Sequence, residues 1–175
     1  MNELVKSIKS KIRTVPDFPK PGILFYDIST VLNDPSGFKD CIDAMIQKVS
    51  DLEFTKVGAI DSRGFIFGAA LADRLNKGFV PIRKKGKLAG KTFSASYKLE
   101  YGEATLEISD IAADKGDKFI IIDDLLATGG TAQAACKLIE QLDAKVVKVL
   151  FLIELLALKG RENLKGHNVE SVLQY

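Results

Sequence analysis

Two acids followed by a turn of small residues carry the densest chemistry in this chain: Asp123-Asp124, then Leu125-Leu126, then Ala127-Thr128-Gly129-Gly130-Thr131. Gly129 and Gly130 let the backbone turn with positive φ and bring its amides close to a ligand, while Thr128 and Thr131 add hydroxyl donors. The helix-compatible run from Ala132 to Leu142 offers free N–H groups and the positive end of a dipole, so the turn reads as a monophosphate loop. An acidic pair just before it would repel a phosphate and must face something else. Adjacent ribose hydroxyls are one candidate, and a Mg²⁺ ion held through water is the other. Gly129-Gly130-Thr131 lacks the spacing and the lysine of GxxxxGK[ST], and there is no GxGxxG, which disfavours an ordinary P-loop ATPase.

A second polar turn, Asp61-Ser62-Arg63-Gly64-Phe65, follows the apolar run Lys56 to Ile60. An arginine and a glycine ahead of a helix make a second anion site, and two such sites point to a ligand with two phosphate groups. Arg83-Lys84-Lys85-Gly86-Lys87 is a third source of positive charge. Lys84 and Lys85 fit a solvated face, whereas Arg83 and Lys87 flank a glycine and open a long polar segment with few core-forming residues. Its far end, Ser96 to Gly102, contains Glu100 and Tyr101, which spacing alone would place on an ordinary exposed hairpin.

The elements that position these turns alternate. An amphipathic helix opens the chain and an irregular proline-rich loop spans Pro16 to Gly22. A helix is predicted from Pro35 to about Leu52, a strand over Lys56 to Ile60, a helix over Gly64 to Asn76 and a strand over Phe79 to Arg83. After the polar stretch Lys84 to Glu103 come the strand Phe119 to Ile122, its helix, and a strand over Val146 to Glu154. Four consecutive apolar residues read as a strand buried on both faces, and strands alternating with helices predict an α/β fold with a mostly parallel central sheet flanked by helices. Ligands of such sheets bind at the carboxyl ends of strands, where both turns fall.

Length and composition agree. The 175 residues suit one domain, and 46% apolar with 27% charged residues is ordinary for a soluble protein. A net charge of +2 is too small to imply a nucleic-acid partner. Cys41 and Cys136 have no metal-ligand spacing and read as core thiols in a reducing compartment. The first dozen residues lack the apolar core of a signal peptide, and no apolar run approaches membrane-spanning length, so a cytoplasmic protein without membrane contacts is expected. His167, in a polar turn outside every motif, reads as a surface histidine.

The strand, acid pair and ATGGT loop resemble the phosphoribosyl diphosphate signature of the type I phosphoribosyltransferases. Pro16-Asp17-Phe18-Pro19, Pro21 to Phe25, Asp27-Ile28-Ser29, Asp61 to Phe65, Glu100-Tyr101-Gly102 and Leu158-Lys159-Gly160-Arg161 extend the resemblance, in order, to the adenine branch of that family. It implies the type I fold in a single domain, 1–175, with a purine-covering N-terminal hood at 1–34 and a mobile catalytic flap at 84–103. It implies Mg²⁺-dependent transfer of 5-phosphoribose from phosphoribosyl diphosphate to adenine, giving AMP and pyrophosphate in purine salvage, by a homodimer.

Carried onto this chain, the family pattern gives phosphoribosyl diphosphate and AMP to Asp123, Asp124, Ala127 to Thr131, Ser62, Arg63, Arg83 and Lys87. Adenine goes to Leu24, Phe25, Tyr26 and Leu125, with Phe25 and Leu125 sandwiching the ring. Glu100 assists proton transfer at the base with Tyr101 beside it, and Mg²⁺ is held through substrate and water with no direct protein ligand. Tyr26 stands where many members carry arginine: a backbone contact alone with adenine would tolerate the change, whereas a side-chain contact would alter affinity or base preference. The turn at Ser62-Arg63 becomes the pyrophosphate loop, often with a non-proline cis peptide. A transferase for 6-oxopurines and a non-catalytic phosphoribosyl diphosphate sensor are the alternatives.

Overall fold

Where apolar residues run without interruption the chain forms strands covered on both sides, and where they recur every three or four residues it forms helices. The computed structural model describes residues 3–98 and 102–175, in two compact units that divide after Gln47. The first contains helix α1 (Glu3–Lys11), strands β1 (Arg13–Pro16) and β2 (Leu24–Asp27), the single turn α2 (Ser29–Leu32) and helix α3 (Pro35–Gln47). β1 and β2 pair antiparallel from Arg13 opposite Asp27 to Pro16 opposite Leu24, and the Arg13 guanidinium donates to the Asp27 carboxylate across that register. Asp34 starts α3 by accepting from the Gly37 amide at 2.5 Å and the Ser36 hydroxyl at 2.6 Å, which satisfies donors a helix start leaves free. α3 stops at Gln47 rather than near Leu52, because the following Val49, Ser50 and Asp51 are poor helix formers, two of them able to hydrogen-bond their own backbone.

The second unit runs β3 (Lys56–Ile60), α4 (Gly64–Arg74), β4 (Gly78–Lys84), β5 (Thr92–Lys98), β6 (Glu103–Ser109), β7 (Lys118–Leu126), α5 (Gly130–Gln141), β8 (Lys145–Glu154), two short 3₁₀ turns (Leu156–Leu158 and Gly160–Leu164) and β9 (Val169–Gln174). Among the described residues its sheet has the order β5-β6-β4-β3-β7-β8-β9. The five strands from β4 to β9 are mutually parallel, and the hairpin β5–β6 joins antiparallel at one edge. The sheet is therefore mostly parallel, as the sequence implies. Residues 84–103, read as one long polar stretch, contain a full strand: β5 pairs with β6 from Thr92 opposite Ser109 to Lys98 opposite Glu103. Only Ala95 of β5 is buried, so this edge strand contributes little apolar sequence and the expected alternation is faint.

The core explains the apolar run at the centre. Phe119, Ile120, Ile121 and Ile122 are all 0% exposed. Phe119 and Ile121 join Ile82, Leu106, Ile108 and Phe151 under Leu138 and Ile139 of α5, and by strand alternation Ile120 and Ile122 face the opposite side, where α4 packs against β3 and β7. Each such side chain stabilises the fold by about 1.5–3 kcal/mol relative to exposure. Because β3, β4 and β7 run parallel, the turns after Ile60, Lys84 and Leu126 emerge at one edge of the sheet.

Candidate active site

β7 continues through both acids as far as Leu126. Strand alternation turns Asp124 inward, leaving it 6% exposed, while Asp123 is half-buried and accepts from the Asp124 amide at 2.9 Å. Beyond them Gly129 takes φ +83° as the N-cap of α5, and no side chain caps that helix. The first amides of α5 are thus left for a ligand. Asp123, Leu125, Ala127, Thr128, Gly129 and Thr131 line one small cleft. Gly130 sits on its other side, where an added Cβ would lie 3.5 Å from the Lys98 carbonyl and the Tyr97 ring of β5.

The turn after β3 closes on the acids from the neighbouring strand. The Asp61-Ser62 peptide is cis, matching the family pattern of the pyrophosphate loop. Arg63 Nε lies 2.9 Å from Asp124 Oδ2. Gly64 makes this approach feasible: a Cβ there would fall 2.8 Å from the Ile122 carbonyl and 3.0 Å from Asp123 Oδ1. Arg83 at the end of β4 is tied into the same turn, with Nε donating to Asp61 Oδ2 at 3.1 Å and Nη1 to the Lys87 carbonyl at 3.0 Å. Its guanidinium also sits 5.8 Å from the Phe65 ring centroid. Ser62, Arg63 and Lys87 are exposed. Arg63 therefore borders the acid pair directly, and Arg83 is held in the turn beside it.

Burial and the neighbouring Asp124 charge push the Asp123 carboxyl well above the usual range. Burial also raises Asp124, and the Arg63 guanidinium partly opposes it. Two adjacent, incompletely compensated carboxylates are costly to keep, and hydroxyl donors or a cation would relieve them. Among the described residues no three His, Cys, Asp or Glu side chains gather as a protein metal cage requires. A pair of hard oxygen donors beside a candidate diphosphate site fits Mg²⁺, which keeps much of its water and takes substrate phosphates as ligands.

Glu100 and Tyr101 lie outside the described residues. Leu24, Phe25 and Tyr26 form β2 of the N-terminal unit, where Leu24 is exposed and Phe25 meets Phe18 edge-on at 5.1 Å. Cys41 and Cys136 are buried thiols whose pKa values are pushed up to about 12 by burial. His167 is half-buried, its Nε2 4.0 Å from Glu140.

Sequence reasoning missed a support behind the loop. Glu154, at the end of β8, is 3% exposed. It accepts two bonds from Arg161, at 2.6 and 2.7 Å, one from Ser171 Oγ at 2.6 Å and one from Gln174 at 3.1 Å. These donors, Arg161 foremost, hold its pKa down to about 2. Arg161 also donates to the Val169 carbonyl at 2.7 Å. The clamp fixes the 3₁₀ turn beginning at Gly160, which abuts the phosphate-loop candidate so tightly that a Cβ on Gly160 would sit 2.3 Å from the Ala127 carbonyl. A Cβ on Gly129 would sit 2.3 Å from the Gly160 carbonyl. Gly160-Arg161 stood out in the sequence only through the family resemblance; a polar residue ending an apolar strand gives no sign that it will be buried and clamped.

Residues 27–171 match the phosphoribosyl transferase domain family. The chain is 56% identical over 169 residues to the adenine phosphoribosyltransferase of Acetivibrio thermocellus, covering 96% of this chain and 99% of that protein. The adenine phosphoribosyltransferase structure from Thermoanaerobacter pseudethanolicus superposes with a TM-score of 0.95 at 46% identity, over 98% of this chain and 99% of that one. That of Saccharomyces cerevisiae, complexed with D-2,5-dideoxy-2,5-imino-altritol 1,6-bisphosphate and adenine, gives 0.94 at 39% identity, over 99% and 100%.

Proposed function

The chain belongs to the adenine phosphoribosyltransferases of the type I phosphoribosyltransferase family, and from that membership we propose how its own residues transfer 5-phosphoribose from phosphoribosyl diphosphate to adenine. The observation that carries the assignment of roles is the junction of two anion-binding turns at one acid pair, closed by the 2.9 Å contact of Arg63 with Asp124. The 5-phosphate is taken by the amides and hydroxyls of Ala127 to Thr131 at the start of α5. Asp123 and Asp124 accept from the ribose hydroxyls, which relieves their mutual repulsion. Ser62, Arg63, Arg83 and Lys87 hold the diphosphate.

In the reaction the C1–O bond to pyrophosphate breaks, the leaving group keeps the electron pair, and an adenine ring nitrogen forms the new bond to C1. Positive charge develops on the sugar and negative charge on the leaving group, so the cations at the diphosphate act where charge grows. Glu100 takes up the proton that adenine gives away, with Tyr101 beside it. Asp123 and Asp124 are the residues that would hold Mg²⁺, through water, and the ion would supply further positive charge at the diphosphate. Leu24, Phe25, Tyr26 and Leu125 take the adenine: backbone groups read the amino group, and Phe25 and Leu125 supply apolar contact. A 6-oxopurine would set an acceptor against an acceptor there, at a cost of about 1–3 kcal/mol.

We assign residues 1–34 to a purine-covering hood and 84–103 to a catalytic flap within a single domain, and infer a cytoplasmic homodimer acting in purine salvage. No described helix is long and apolar enough to cross a membrane. The test is pyrophosphate release from phosphoribosyl diphosphate with Mg²⁺, comparing adenine with hypoxanthine and guanine. Release with adenine that Glu100→Ala and Asp124→Ala both reduce is expected. Release driven equally by hypoxanthine would remove the adenine pocket, and binding without release by any base would leave only a sensor.

A further inference from the structure

The phosphate-loop candidate is oriented from behind by the C-terminal 3₁₀ turn. Asn163 Nδ2 donates to the Thr128 carbonyl at 2.8 Å. In a trans peptide the C=O and the following N–H point in opposite directions. Holding the Thr128 oxygen toward Asn163 therefore aims the Gly129 N–H away from it. Gly160 acts one peptide earlier: its Cα packs so near the Ala127 oxygen that a Cβ would come within 2.3 Å, which turns the Thr128 N–H the other way in the same sense. Among the described residues neither amide donates to another protein group, and both residues line the cleft. Arg161, between Gly160 and Asn163, is locked to Glu154 by two bonds, so the turn that sets these peptides is itself anchored to the sheet.

We propose that Asn163 is a positioning residue, which by fixing the Thr128-Gly129 peptide presents the loop amides to the 5-phosphate of the nucleotide. The proposal rests on the assignment of Ala127 to Thr131 as the 5-phosphate site. One hydrogen bond preorganises the donor, so its loss lowers affinity for the phosphate alone. Asn163 is exposed, so its replacement is expected to leave the fold intact.

The experiment compares AMP with adenosine, ligands that differ only by the 5-phosphate, by calorimetric titration of the full chain and of Asn163→Ala and Asn163→Leu. The wild type is expected to prefer AMP strongly. Both variants are expected to lose about fivefold to tenfold in AMP affinity, to keep adenosine affinity and melting temperature, and to raise KM for phosphoribosyl diphosphate without changing KM for adenine. An unchanged AMP to adenosine ratio in the variants overturns the proposal, as does an equal loss for both ligands, which would mean general disruption. A wild type that does not prefer AMP would instead refute the 5-phosphate assignment itself, and the two failures are thus told apart.

Discussion

β7 and β8 are neighbours, with Leu126 opposite Glu154, and each ends in buried acid, yet the two ends are built to opposite rules. At the end of β8 one carboxylate accepts from Arg161, Ser171 and Gln174, and its pKa falls to about 2. At the end of β7 two carboxylates crowd together with Arg63 beside the inner one, and their pKa values rise. The first arrangement is satisfied by the protein and holds structure together. In the second, burial and mutual repulsion are only partly opposed by Arg63, which makes it the place where a ligand's donors or a cation would add stabilisation.

The sharpest test of this contrast is to remove one acid from each end. Asp124→Ala should cost the charge-assisted bond to a ribose hydroxyl proposed for it, about 1.5–3 kcal/mol, and so lower kcat/KM by on the order of 10- to 10²-fold. Its melting temperature should stay level or rise, because a poorly compensated buried charge is gone. Glu154→Gln should do the reverse. Urea unfolding is expected to show a loss of about 2–3 kcal/mol, since Arg161 loses its partner, while saturating substrate restores much of the turnover. If Glu154→Gln left stability untouched, or if Asp124→Ala unfolded the protein, the division between a structural and a ligand-facing acid would collapse.

Acid titration probes the same contrast with smaller effects. Glu154 has a folded pKa of about 2 against an ordinary 4.5, so its contribution is complete above about pH 4.5 and is lost as pH falls toward 2. For Asp123 and Asp124 the sign is opposite. Their folded pKa values lie above 3.8, so the folded state binds protons first as pH falls, and their penalty on stability shrinks instead of growing. Protonation also weakens the acceptors proposed for the ribose hydroxyls. Nucleotide affinity should therefore drop at a higher pH than the one at which circular dichroism reports unfolding, and Glu154→Gln should flatten the acid limb of the stability curve without moving the affinity curve.

The loop after β7 was legible because its physics is local. An apolar run, two acids, small residues and a helix follow in order, and each constrains the next few residues of backbone. The turn at Ser62-Arg63 was legible for the same reason, though only the fold brings Arg63 to Asp124. β5 escaped because an edge strand with one buried alanine carries almost no periodic signal, and its partner β6 supplies the apolar face. Glu154 and Asn163 escaped because a lone polar residue has no local signature, and their partners lie 7 to 35 residues away.

Residue order alone set the mostly parallel core, the two candidate anion-binding turns, the acid pair and, through motif order, the family. All are set by short-range patterns of size, charge and backbone freedom that survive without knowledge of neighbours. The tertiary structure alone decided which acid is satisfied and which is exposed to need, and which carbonyls of the phosphate loop are held from behind. Those outcomes depend on burial and on donors brought together from distant segments, and the free energy of a carboxylate depends on what surrounds it far more than on the residues beside it in the chain.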